Sequence, residues 1–511
     1  MNIRASGVLL HITSLPSRFG VGDMGPQARH FADLLADAGQ LYWQILPLGP
    51  TSPALGNSPY AGFTAFAGNP LLISLEDLVT DGLLSISDIG ADPPARPDRV
   101  DYEAELARKS RLLGKAYANA ASSLETHDAF QAFCREHAEW LDDWTLFVSL
   151  KEHYNGLPWH VWAVPHRDRH DDAIATWREE AAERIQGEAF AQFLFFQQWN
   201  RLRDYCRARC LRFIGDLPIY VSQDSADVWT HPHLFKLGAN KRPTVVAGVP
   251  PDYFSATGQR WGNPVYDWPA NKAEGYGWWT RRVAHNLTLY DAVRIDHFRG
   301  FAAYWEISAH EETAIHGTWV DGPGAELFEL LSRRISSLPI IAEDLGVITA
   351  DVRELKNSFN LPGMKILQFA FGDEKPKHIP YLHDTNCIVY TGTHDNNTAR
   401  GWFESEASLD ERESFATYLG HWPESEDIHR IFMRMAMQSV ANTVIIPMQD
   451  ILGLDSACRM NKPSTLSKNW EWRLTRDAAV PETLKELAEM TRFFDRAPLL
   501  VGHDTGELPK G

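Results

Sequence analysis

Eight short, nearly continuous apolar runs, each ending in polar, Gly or Pro residues, constrain this 511-residue chain more than any other feature. They fall at 7–12, 41–48, 212–221, 292–298, 339–345, 364–371, 386–393 and 443–452. Short runs without polar alternation indicate strands buried on both faces, as in a parallel sheet. Amphipathic helical patterns such as 27–38, 325–336 and 410–419 lie between most of them. A β-then-α unit repeated eight times predicts an α/β fold, a closed (β/α)8 TIM barrel, rather than an open doubly wound sheet. No GxxxxGK[ST] loop occurs, so phosphate-loop nucleotide readings lose their support.

The spacing of the runs locates the insertions within a single barrel spanning 1–511. Between Leu48 and Arg212 the chain is far too long for one crossover, and the Pro-rich stretch Ala91-Asp92-Pro93-Pro94-Ala95-Arg96-Pro97 precedes helical patterns at 102–123, 127–154 and 177–209. A mostly helical insertion over 71–205, between the second and third strands, follows. A second insertion, 222–289 between the third and fourth strands, is rich in Pro, Gly and aromatic residues and reads as a functional loop. The tail after Leu452 suffices for a loop and a helix, not for a C-terminal β-sandwich domain.

A net charge of −18 repels phosphate backbones and anionic lipid heads, which argues against nucleic acid and membrane partners and favours a neutral substrate. The five cysteines (Cys134, Cys206, Cys210, Cys387, Cys458) show no finger-like spacing, so free thiols and no metal are expected. The opening apolar stretch is too short for an export signal, and no run reaches membrane-spanning length. A cytoplasmic protein is the expectation.

In barrels of this kind the active site lies at the C-terminal strand ends. Those ends carry Asp216, Asp296 with His297, Glu343 with Asp344, and His394 with Asp395. Each alone reads equally well as a helix cap or an arginine partner; four at four strand ends point to a site. Arg294 stands two residues before Asp296, so on a strand both side chains face inward. The guanidinium favours the ionised form, which suits a nucleophile. The alternative is a buried structural Arg–Asp pair. Glu343 ends the apolar run Leu338-Pro339-Ile340-Ile341-Ala342, and such surroundings raise a carboxyl pKa toward general-acid use. Asp344 faces the other way and is assigned a structural role.

Two carboxyls about 5 Å apart with these opposite tendencies meet the needs of retaining glycoside chemistry. Asp395 then accepts hydrogen bonds from sugar hydroxyls, and His297 and His394 donate to them. Tyr60, Tyr253, Phe254 and Trp261 offer flat rings for the apolar faces of sugars, although such a loop is also explained by packing against the barrel.

These residues resemble the amylomaltase or disproportionating-enzyme family, glycoside hydrolase family 77. The resemblance rests on Val293-Arg294-Ile295-Asp296-His297-Phe298-Arg299-Gly300, Ile341-Ala342-Glu343-Asp344-Leu345-Gly346 and Thr393-His394-Asp395-Asn396. It extends to Gly215-Asp216-Leu217-Pro218, Ser58-Pro59-Tyr60, the loop from Gly248 through Asn263-Pro264, and Arg459-Met460-Asn461. It implies a retaining 4-α-glucanotransferase with Asp296 as nucleophile, Glu343 as acid/base and Asp395 as transition-state stabiliser. It further implies sugar contacts from Asp216, Arg294 and Asn461, no metal or organic cofactor, and maltooligosaccharides, glucose and α-1,4-glucan as substrates. Some relatives carry a Tyr at a remote glucan groove where Leu55 stands here, so a second glucan site is not implied. The nearest rival is an α-1,4-glucan hydrolase using the same acids. Others are a metal-dependent hydrolase, opposed by the charge of Arg294, and an inactive glucan-binding protein, opposed by the intact acid set.

Overall fold

Apolar side chains too closely spaced to leave a solvent face dominate the eight expected runs, and each run overlaps a parallel strand, those at the first and sixth runs starting two residues and one residue before them. The computed structural model describes residues 3–90, 96–251, 255–465, 467–475 and 480–498. In chain order its strands are β1 (Ala5–Leu9), β2 (Tyr42–Gln44), β3 (Arg212–Leu217), β4 (Val245–Val249), β5 (Gln259–Pro264) and β6 (Ala292–Ile295). They continue with β7 (Ala303–Ser308), β8 (Gly317–Asp321), β9 (Ile340–Ala342), β10 (Gly363–Ile366), β11 (Cys387–Tyr390) and β12 (Thr443–Pro447). Eight of them pair in the order β10-β11-β12-β1-β2-β3-β6-β9, parallel throughout. The seam closes where the Ala342 N–H of β9 donates to the carbonyl of Pro362, 2.9 Å away and just before β10. The result is a (β/α)8 barrel.

Side-chain alternation sorts these strands into two layers. Ile214, Ala292, Ile341, Ile366, Ile388 and Ile445 belong to one buried cluster that fills the barrel interior. Phe213, Val293, Ile340, Val389 and Val444 belong to the outer core shared with the helices. Fully burying an aliphatic side chain contributes about 1.5–3 kcal/mol, so a slip by one residue is strongly disfavoured. With register fixed, the inward positions two residues after Ile214, Ala292 and Ile341 are Asp216, Arg294 and Glu343. Hydrophobic alternation below thus decides which polar groups meet above.

Every barrel strand ends earlier than its apolar run. β2 spans only Tyr42–Gln44 of the expected 41–48, and β9 only Ile340–Ala342 of 339–345. The surplus apolar residues pack at the mouth: Ile45, whose N–H still donates to the Ile214 carbonyl, and Leu46 are buried though outside a strand.

A second sheet was not expected. β5, β4, β7 and β8 pair antiparallel in that order. β4 and β5 lie within the 222–289 segment, which also holds the helices Trp268–Ala273 and Gly277–Leu289. β7 and β8 follow β6, where no strand was expected. Burial along β5 and β8 is mostly partial or absent, so neither run shows an apolar period.

Between β2 and β3 the long helices are Tyr102–Ala120, Asp128–Glu136, Ala138–His153, Asp171–Glu180 and Ala182–Arg207. The pattern at 177–209 is broken at Ala181, giving two helices instead of one. Phe130 and Phe133 pack against Phe193 at ring distances of 5.7 Å, and Trp199 reaches the barrel through Phe213 at 4.7 Å. Residues 91–95 of the Pro-rich stretch lie outside the described residues. Among the described residues no helix is long and apolar enough to cross a membrane.

One glycine pattern absent from the expectations above bears on nucleotide binding. Gly20-Val21-Gly22-Asp23-Met24-Gly25, between β1 and the helix Pro26–Asp37, has GxGxxG spacing. Protein fills this turn: a Cβ on Gly22 would lie 2.1 Å from the Ile12 carbonyl, and one on Gly25 2.2 Å from Ser74 Oγ. The Gly22 and Gly25 N–H groups donate to Thr13 O and Asp23 Oδ1. The glycines admit chain crossings, not a pyrophosphate.

Gly215, immediately before Asp216, is held to glycine by close approach. A Cβ there would sit 2.2 Å from the buried Tyr290 ring. Gly215→Ala is expected to destabilise the protein by about 1–3 kcal/mol, read as a lowered midpoint in urea denaturation.

Candidate active site

Asp216, Arg294 and Asp296 form the centre of the barrel mouth. β3 and β6 pair with Asp216 opposite Arg294. Arg294 Nη1 donates to both Asp216 oxygens at 2.9 and 2.8 Å, and Nη2 donates to Asp296 Oδ1 at 2.9 Å. The expected Arg294–Asp296 contact is present, but the same guanidinium also neutralises a second acid. Burial raises the Asp216 carboxyl above its ordinary range, against the pull of Arg294. Arg294 is held well above its usual value: burial opposes its charge, and Asp216 and Asp296 outweigh that. The Asp216 side chain is 0% exposed while that of Asp296 is 32% exposed, so only the latter opens into the cleft.

Glu343 stands beside Asp296. The β6–β9 register pairs Ile295 with Ala342, so Asp296 and Glu343 are the next pair up on neighbouring strands, whose spacing is about 4.8 Å. The Glu343 N–H donates to the Ile295 carbonyl at 3.1 Å. Its carboxyl accepts the His297 N–H at 2.7 Å and the Leu345 N–H at 3.0 Å. Burial nonetheless pushes it up to about 7, with the Asp296 charge adding to that and Arg294 and the two N–H groups opposing it. Asp344 turns away, accepting from Lys356 Nζ at 2.6 Å and the Met364 N–H at 2.7 Å. It ties β9 to β10.

Asp395 approaches from the loop after β11. Asn461 Nδ2 donates to its Oδ1 at 2.6 Å, His394 Nε2 lies 3.2 Å from its Oδ2, and Arg459 Nη2 donates to its backbone carbonyl at 2.9 Å. Burial would raise this carboxyl, but His394 and Asn461 prevail and hold it far below the usual range. The reciprocal effect raises His394 despite burial. The Tyr60 hydroxyl donates to Asp216 Oδ2 at 2.8 Å and lies 3.2 Å from His394 Nδ1. The Tyr60 and His394 rings stack at 4.8 Å, with Trp470 at 5.8 and 5.9 Å from the two. These contacts link the Asp395 loop to the Asp216–Arg294 pair across the mouth.

His297 adopts a left-handed backbone, φ 52°, which turns its N–H toward Glu343. Its ring meets Trp261 edge-on at 4.8 Å, and Trp261 itself is 38% exposed. Burial pushes the imidazole down to about 4, so it is neutral at pH 7. Its Nε2 is buried without a protein partner among the described residues. Tyr253 and Phe254 lie outside the described residues. The other expected side chains, Tyr60, Asp216, Trp261, Arg294, His297, Glu343, His394, Asp395 and Asn461, converge on one mouth. Trp470 belongs to it as well and was missed, and so does Arg459, named above as part of a motif and not as a site residue. The aromatic pair Trp470-Glu471-Trp472 past the last strand was the available signal. Among the described residues no group of three His, Cys, Asp or Glu side chains has the arrangement to hold a metal ion.

Arg294→Met leaves two facing carboxyls without their cation, and a destabilisation of about 3–5 kcal/mol is expected. With the cation gone the Asp216 pKa rises further, so the folded state keeps a proton that the unfolded chain releases. Stability of the variant therefore falls as pH rises from about 4 toward 7. Thermal melts across that range, compared with the parent, measure it.

The profile of glycoside hydrolase family 77, described as 4-alpha-glucanotransferase, matches residues 10–478. The 4-alpha-glucanotransferase of Synechocystis sp. is 46% identical over 499 residues, covering 96% of this chain and 98% of that protein. That of Thermus thermophilus is 46% identical over 501 residues, covering 96% and 99%. Among solved structures, the amylomaltase from Streptococcus agalactiae in complex with acarbose superposes with a TM-score of 0.92 at 38% identity, covering 97% of this chain and 100% of that one. The chain belongs to the 4-alpha-glucanotransferase family, glycoside hydrolase family 77.

Proposed function

We propose that this protein is a retaining 4-α-glucanotransferase. It moves α-1,4-glucan segments from a donor to a maltooligosaccharide or glucose acceptor, with Asp296, Glu343 and Asp395 as its reacting acids. The observation that carries the reading is the pairing at the ends of β6 and β9. One carboxyl there receives the Arg294 guanidinium, and its neighbour is pushed up to about 7 by burial. Unlike environments for adjacent acids separate a nucleophile from a proton donor.

In the first half-reaction an Asp296 oxygen attacks the anomeric carbon. The C1–O bond to the leaving glucan breaks, its electron pair stays on the glycosidic oxygen, and Glu343 protonates that oxygen. The product is a glycosyl ester on Asp296 and a shortened glucan with a free 4-hydroxyl. In the second half Glu343, now a carboxylate, takes the proton of an acceptor 4-hydroxyl. That oxygen attacks C1 and displaces Asp296. Two inversions retain configuration. Asp395, kept charged by His394 and Asn461, accepts hydrogen bonds from ring hydroxyls and stabilises the positive charge growing on the ring.

Transfer over hydrolysis is supported by the relatives, which are named 4-alpha-glucanotransferases. We assign the insertions 71–205 and 222–289 to the walls of this cleft. A cytoplasmic setting is supported by the five free cysteines.

Maltotriose supplied alone is expected to give glucose together with chains longer than itself. Products that are all shorter would favour the hydrolase. Asp296→Asn is expected to lower transfer by at least about 10³-fold while the variant still melts cooperatively; full activity in that variant removes the nucleophile role. Because Glu343 donates its proton in the first step, kcat/KM is expected to fall as pH rises through about 7, and the pH–rate profile checks this.

A further inference from the structure

Asp450 is a fully buried carboxylate that the reaction does not touch. It lies in the helical turn Met448–Ile451 that follows β12, and it is 1% exposed. Among the described residues no cation pairs with it. Its two oxygens point to two places in one neighbouring loop. Oδ2 accepts the Thr391 hydroxyl at 2.5 Å, and Oδ1 accepts the Ala399 N–H at 2.7 Å. Thr391 follows the last residue of β11, and Ala399 opens the helix Ala399–Ser405. Asp395 sits midway between them.

Inside that span the chain is braced on itself. Asn396 Oδ1 accepts both the Thr393 N–H at 2.9 Å and the Thr393 hydroxyl at 2.8 Å. Gln368 Nε2 donates to the Asn397 carbonyl at 2.8 Å, and Asn397 Nδ2 donates to Ser456 Oγ at 2.9 Å. The residue before Asp450, Gln449, donates to the Cys458 carbonyl at 3.3 Å, next to Arg459 and close to Asn461, both partners of Asp395. A buried carboxylate with no cation is an expensive group to retain. A capping role for one helix would need one of its oxygens, not both.

Building on the proposed role of Asp395, we propose that Asp450 is a positioning residue for the transfer reaction, clamping both ends of the 391–399 loop so that Asp395 meets the sugar at a fixed place. Orientation of this kind is lost steeply: a displacement near 1 Å can cost about 10²-fold in rate. Asp450 acts on the reaction only through Asp395, so its removal is felt in kcat more than in KM. The removal is silent where Asp395 is already disabled.

The test is a double-mutant cycle of Asp450→Asn with Asp395→Asn, using an α-maltosyl fluoride donor and maltose as acceptor. Asp450→Asn alone is expected to lower kcat about tenfold or more with KM changed less than about threefold; added to Asp395→Asn it is expected to lower the residual rate less than about threefold. A kcat loss under tenfold in the parent, or a loss of equal factor in both backgrounds, overturns the inference. Should Asp450→Asn not fold, as judged by cooperative melting, Thr391→Val removes one half of the clamp and is read in the same cycle. There a loss confined to the Asp395 background-intact enzyme is expected, and parental kcat or an equal factor in both backgrounds overturns the inference. Full activity in Asp395→Asn takes down the three-acid reading and this inference with it, whereas an impaired Asp395→Asn beside a parental Asp450→Asn defeats this inference alone.

Discussion

The guanidinium of Arg294 lies between two carboxyls at the top of a barrel whose interior below is largely apolar, with Tyr390 bonded to Gln44 inside it. A lone cation in that place would be forced out, and so would two lone carboxylates. Together they are tolerated, and the tolerance fixes geometry. Arg294 binds Asp216 through one terminal nitrogen and Asp296 through the other. Asp216 in turn takes the Tyr60 hydroxyl, and Tyr60 leans on His394, the neighbour of Asp395. The chain of contacts runs from the third strand to the eleventh without leaving the mouth. Its members are planar or multidentate groups, which have few alternative arrangements.

Glu343 gains its character from the same neighbourhood by contrast. It shares a mouth with Arg294 but receives backbone N–H groups in place of the guanidinium. Those donors hold its orientation without neutralising it outright, and burial raises it to about 7. The left-handed turn at His297 makes this possible, because it swings an N–H out of the β6 ladder toward the β9 end. The difference between the two acids therefore arises from one side-chain cation and one backbone turn, three residues apart in sequence.

Much of this was legible beforehand, and the reasons are specific. The helix Leu409–Leu419 announces itself by a Ser408–Glu411 capping box and a left-handed Gly420, and the expected range 410–419 differs by one residue. The barrel strands were legible because strands covered on both faces are apolar at most positions, so a single Gln44, Arg294 or Lys365 does not break the run. The second sheet was not: β5 reads Gln-Arg-Trp-Gly-Asn-Pro and is largely unburied, so its pairing depends on β4, whose own signal is five residues long. Arg294 beside Asp296 followed from a two-residue offset, whereas its bond to Asp216 depends on a partner 78 positions away.

The sequence by itself determined the barrel, the acids at its strand ends and the family, since alternation and short motifs are local properties of the chain. Tertiary structure alone decided the register in which those strands pair. Only that register puts Glu343 level with Asp296, sets Arg294 between two acids, and brings both ends of the Asp395 loop to the buried carboxylate of Asp450. Register between distant segments is fixed by burial summed over the whole core, and no single stretch of residues contains that sum.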